Sequence, residues 1–172
     1  MRLTLAIWYV FLLSPFFAQR YGQSSLGYHF DVQRMDYFHT LSFQQAYRSV
    51  GVEVYAGCGH RNTFSNATFF PQVGLQGQWF PLAEKTRFFQ GFHLHVDYSM
   101  ANLAKPFSYR YSRFQLGYGI FWPVTKKLSF GQLRITHQFG IAWNQELQRT
   151  VQIRSTFLDH RFSLGLNYVL PK

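Results

Sequence analysis

The chain is poor in cysteine and in charge. One cysteine, Cys58, stands among 172 residues, so no disulfide can form within the chain and a disulfide scaffold is excluded. Charged residues make up only 14%, against about 25% in an ordinary soluble domain. Acidic residues are especially scarce: Asp plus Glu is 7 against 17 Lys plus Arg, a formal net charge of +10. No A/E/K/L-rich heptad stretch is present, which argues against a coiled coil. Beyond the first seventeen residues no apolar run reaches 18, so no spanning helix is expected there. Aromatics are abundant at 20%, including 20 Phe and 11 Tyr. A chain with that much apolar surface and so few charges is not disordered.

Met1 and Arg2 form a short positive start. The run LTLAIWYVFLLSPFF, residues 3–17, carries no charge, and Ala18-Gln19-Arg20 follows. Charged start, apolar run and small residue predict a secretory signal peptide over 1–18, cleaved after Ala18. Fifteen residues are fewer than the roughly 20 that a spanning helix needs. Residues 19–25 are then a short N-terminal segment, and the barrel domain proposed below covers 26–170.

Period two dominates what remains. Phe92, Leu94, Val96, Tyr98 and Met100 alternate with His93, His95, Asp97 and Ser99. Phe114, Leu116, Tyr118, Ile120 and Trp122 alternate with Gln115, Gly117, Gly119 and Phe121. Leu133, Ile135, His137, Phe139, Ile141 and Trp143 alternate with Arg134, Thr136, Gln138, Gly140 and Ala142. The last segment sets Phe162, Leu164, Leu166 and Tyr168 against Arg161, Ser163, Gly165 and Asn167. Such alternation describes strands whose two faces meet different surroundings. Eight strands are predicted, over about 26–34, 38–47, 50–57, 68–81, 88–101, 109–124, 128–144 and 159–170. The connections after strands two, four and six are expected to be short, and those after three, five and seven longer.

The polar face decides between a soluble and a membrane barrel. A water-facing exterior would carry Lys, Glu and Asp in quantity. Here the polar face is Gln, Ser, Asn and His with glycines such as Gly74, Gly117 and Gly140, which suits a narrow lumen. The apolar face is then lipid-facing, with Phe92, Leu94, Val96, Leu116, Ile120, Leu133, Ile135, Ile141, Leu164 and Leu166 upon it. Trp79, Tyr98, Trp122, Trp143 and Tyr168 are placed near strand ends as an aromatic girdle. The fold class is therefore all-β, an eight-stranded antiparallel up-and-down transmembrane barrel.

Over residues 26–170 the chain resembles the small eight-stranded outer-membrane β-barrels of Gram-negative bacteria, the OmpA/OmpX type. The resemblance rests on the signal-like start, the strand number, the alternation and the final FSLGLNYVL. It implies location in the outer membrane. It departs from such barrels at its end, Leu170-Pro171-Lys172, where a terminal aromatic is common.

Eight polar residues are expected to fill the lumen as a paired network: Asp31, Glu53, His93, His95, Asp97, Arg113, Arg134 and Arg161. Buried charges are costly alone, so Asp31, Glu53 and Asp97 are expected against the three arginines. His93 and His95 also have a zinc-compatible spacing, and His95, Asp97 and Ser99 hold the residue types of a hydrolase triad. The filled lumen absorbs all of these, so no catalytic residue, metal or cofactor is assigned.

Cations are expected on both rims. On the turn side lie Arg20, Arg48, Lys85, Arg87, Lys126, Lys127 and Lys172 with Glu84. On the outer side lie Arg61, Lys105, Arg110, Arg149 and Arg154 with Glu146 and Asp159. The outer set suits lipopolysaccharide phosphates. A structural or surface-interaction role is the leading reading, with outer-membrane lipids, lipopolysaccharide and a membrane protein as partners and no nucleic acid. A narrow solute pore, a lipid-A-modifying enzyme and an accessory subunit of a membrane complex are the alternatives.

Overall fold

A computed structural model describes residues 23–33, 36–61, 68–82, 91–103, 109–123, 132–148 and 151–170. The expected signal peptide and residues 19–22 lie outside them, as do Glu84, Lys85, Arg87, Lys105, Lys126, Lys127, Arg149 and Lys172. The described chain is eight strands: β1 (Gln23–Gln33), β2 (Asp36–Tyr47), β3 (Val50–Arg61), β4 (Thr68–Trp79), β5 (Phe92–Leu103), β6 (Tyr109–Pro123), β7 (Gln132–Gln148) and β8 (Val151–Val169). Each pairs antiparallel with its sequence neighbour, and β1 pairs β8, closing the barrel. Among the described residues no helix is long and apolar enough to cross a membrane. Crossing is by strands.

The polarity is inverted relative to a soluble barrel. Leu41, Val54, Leu75, Leu116 and Leu164 are exposed on the outside, while Asp31, Gln76, Asp97, Arg113 and Gln115 are almost wholly buried inside. In water this exterior would be unstable, and in lipid it is the favourable surface. Closure pairs each strand with two neighbours over most of the wall, which is why barrels can span bilayers at all.

The ladders do not return to their starting level. From Leu166 the partners run Tyr28, Leu41, Ala56, Val73, Met100, Ser112, Gln145 and then Arg154. One circuit therefore climbs twelve residues along β8. A stagger larger than the strand number tilts the strands and widens the barrel. That width makes room inside for side chains as large as Arg, His and Tyr.

Two expectations about the connections are corrected. The predicted long loop over 145–158 is instead strand: β7 runs to Gln148 and β8 begins at Val151. Meanwhile residues 80–91 separate β4 from β5, so the connection after strand four is not short. Among the described residues, the β7–β8 hairpin at the 145–158 end is extended sheet. Val151–His160 of β8 pairs with β7 alone, because β1 joins β8 only from Arg161 onward. Between β2 and β3 the two-residue turn Arg48-Ser49 is as predicted, with Arg48 at φ 52°. That left-handed conformation matches the twist of a tight hairpin. Pro71 sits where β4 has β3 as its one neighbour, since pairing with β5 begins at Gln72. A residue without an N–H is tolerated there.

Candidate functional site: the lumen and the outer wall

The inward faces of all eight strands converge on a filled lumen. Arg113 of β6 pairs with Asp159 of β8, and both are about 1% exposed. Gln33 donates to the same carboxylate at 2.7 Å, and Arg113 also donates to Gln115. Arg161 pairs with Asp31 at 2.8 Å, while Thr40 and Ser163 donate to that carboxylate. The Tyr55 hydroxyl donates to both oxygens of Asp97, at 2.8 and 3.1 Å, and the Arg161 guanidinium lies 5.1 Å from the Tyr55 ring centre. Glu53 lies 3.7 Å from His29 and accepts from Gln78 at 3.3 Å. Charges so buried are tolerable only when paired and hydrogen-bonded.

Aromatic side chains lie at both ends of this polar middle. Phe38 and Phe70 meet edge to face at 5.6 Å, with Ala101 and Tyr111 against them, at the end bearing Val151. At the other end Phe80 packs 5.3 Å from His93 and 6.1 Å from Phe121. Arg134 stacks 4.9 Å over Phe121. The cavity left among His29, Glu53, Gln76, His93 and Arg134 is about 20 Å³, room for about one water.

All eight residues expected in the lumen point into it, but the pairing differs from the expectation. Of the three arginines, Arg161 meets an expected partner, Asp31. Arg113 meets Asp159, which sequence reasoning had set among the outer strand tips. Parity along β8 would have found it: residues 159, 161, 163, 165 and 167 share the inward face. Asp97 is held by Tyr55, not by arginine. Among the described residues no carboxylate lies within ion-pair distance of Arg134. The triad arrangement is not assembled either, since Asp97 is engaged by Tyr55 and no hydrogen bond joins it to His95. His93 Nδ1 lies 3.1 Å from the Gly91 carbonyl. Among the described residues no group of three or more His, Cys, Asp or Glu could hold a metal.

The ten residues expected to face lipid all lie on the outward side of their strands. Trp79, Trp122 and Tyr168 face outward at the end that carries the Arg48-Ser49 turn. Trp143 faces outward in the opposite half of the wall, 5.6 Å from Phe114. Tyr98 departs from the girdle expectation. It pairs with Phe114 halfway along β5, because the wide connection 80–91 starts that strand later than predicted.

Closed topology, an apolar exterior and a polar interior are those of an integral membrane β-barrel. No family model and no curated protein matches the chain. Among solved structures it is similar to the outer membrane protein AlkL, determined by solid-state NMR in DMPC lipid bilayers. The identity is 11%, the coverage 89% of this chain and 92% of that one, and the TM-score 0.43.

Proposed function

We propose that this barrel does not conduct and acts through its exterior: the outer rim, the extended β6–β8 sheet and the loops. Its partners are outer-membrane lipids, lipopolysaccharide and a membrane or cell-surface protein. The supporting observations are contacts across the lumen at three levels. Phe38 meets Phe70 at one end, the Arg113–Asp159 and Arg161–Asp31 pairs cross the middle, and Phe80 meets Phe121 at the other. Opening a path would strand buried charges, each unpaired one costing several kcal/mol.

The test is refolding into planar lipid bilayers, with gel migration read before and after boiling. A heat-shifted band without stepwise conductance is the expected result. Stable conductance steps would overturn the reading in favour of a narrow pore. That alternative draws on the twelve-residue stagger, which gives the lumen extra width. A lipid-modifying activity has less support, because His93, His95 and Ser99 are buried in the lumen, away from lipid.

A further inference from the structure

Among the described side chains on strands, outward-facing charge is confined to one place. Asp31, Glu53, Asp97 and Asp159 are buried in the lumen, and Glu146 is on the inward side of β7. Arg113, Arg134 and Arg161 point inward as well. Among the described side chains on strands, the cations that project outward are Arg110 and Arg154. Both are exposed. They stand on β6 and β8, with β7 between them, in adjacent rows of the ladder: Arg110 opposite Leu147, Arg154 opposite Gln145. Two strand spacings and a two-residue offset along the strands separate them, roughly 12 Å.

Their heights are within a few ångströms of each other, because the rise of the tilted ladder across two strands is largely offset by the two-residue shift. Arg110 is twelve residues from the girdle residue Trp122 along β6, and Arg154 is twelve residues from Leu166 along β8. At about 3.4 Å per residue and a tilt of about 45°, twelve residues rise roughly 29 Å. The apolar band of such barrels is about 25 Å tall. Both guanidinium groups therefore stand just beyond the hydrocarbon boundary opposite the Trp79–Trp122 girdle. Below them the wall turns aromatic in the row Tyr98, Phe114, Trp143. Two clefts, about 590 and 410 Å³, open here and share Tyr98, Ser112 and Gln145; Arg110 lines the first and Arg154 the second.

We infer that this face binds the phosphorylated headgroup of lipid A, the lipid anchor of lipopolysaccharide. Arg110 and Arg154 take the phosphate oxygens, Ser112 and Gln145 add neutral hydrogen bonds, and the acyl chains run down over Tyr98, Phe114 and Trp143. Arginine forks suit phosphate, and among the described side chains no carboxylate forms an ion pair with either guanidinium. The assignment rests on the reading that the β6–β8 extension is the outer end of the barrel.

The full chain, refolded in detergent and shown folded by its heat-shifted band, is mixed with bisphosphorylated lipid A. Retained lipid is read by native mass spectrometry. Dephosphorylated lipid A should be retained at least about tenfold less, which needs no variant at all. Arg110→Gln with Arg154→Gln should lose a similar factor, while Arg48→Gln at the opposite end should lose none. Equal retention of the two lipid A forms overturns the proposal, as does undiminished binding by the double variant. Preferential retention of phosphatidylglycerol over lipid A overturns it too, and displacement by inorganic phosphate at millimolar concentration shows a free-anion site instead. Conductance is read separately, so a pore can sink the closed-barrel reading while leaving this result to stand or fall alone.

Discussion

Arg113 and Asp159 form an ion pair inside the barrel between strands β6 and β8, which are not neighbours in the wall. The pair reaches past β7, so it braces the cross-section and not a single hairpin. Arg113→Leu would leave Asp159 charged and without its cation, a loss of roughly 3–5 kcal/mol. Replacing both residues by leucine should recover most of that loss, because no charge is then stranded. Urea unfolding in detergent or lipid, followed by the heat-shift of the folded band, measures both. A single variant as stable as the parent would show that the pair does not form.

The outer wall makes a depth-dependent prediction. Leu116 lies six residues from Trp122 and six from Arg110 on β6, at the middle of the apolar band. Leu94 lies opposite Trp79, close to the girdle. Leu116→Arg should cost about 2–4 kcal/mol and Leu94→Arg only about 0–1. Unfolding from lipid vesicles gives both values. A larger penalty at Leu94 would mean that the membrane sits elsewhere on the wall.

Gly74 faces the ring that secures Asp97. A Cβ there would come within 2.2 Å of Tyr55 Cζ. Gly74→Ala must therefore push Tyr55 off its hydrogen bonds, with a loss of about 1–3 kcal/mol. Gly77 on the same strand faces outward, and a Cβ there meets nothing nearer than 4.0 Å. Gly77→Ala should leave stability unchanged within about 0.5 kcal/mol. Comparing the two unfolding midpoints separates the close approach at Gly74 from a general loss of strand glycine.

Cys58 is exposed on the outward face of β3, between His39 of β2 and Pro71 of β4. In lipid it should resist a charged, membrane-impermeant thiol reagent and react with an apolar maleimide. Mass shifts after labelling in vesicles report this. Rapid labelling by the charged reagent would place Cys58 in water and contradict the wall assignment.

The faces of the strands were legible because side-chain direction is local: alternate residues of a strand point to opposite sides whatever the partner strand is. Hence His93, His95 and Asp97 were read as sharing the lumen, and Leu116 and Ile120 as sharing the exterior. The turn at Arg48-Ser49 was legible for the same reason, since Tyr47 and Val50 both face out. Strand ends were less so. Residues 145–158 alternate weakly, and what makes them strand is pairing across β7 and β8, not the pattern of either segment alone.

By itself the sequence determined the number of strands, which face of each is apolar and that the interior is polar. It could not determine which acid meets which base. That depends on the stagger accumulated over eight ladders, a property of closure that no single segment carries. A slip of two residues in the β6–β7 or β7–β8 ladder would keep every side chain on its face and yet carry Arg113 away from Asp159. The tertiary structure alone decided that pairing, the alliance of Tyr55 with Asp97, and the nearness of Arg110 and Arg154 on the outer wall.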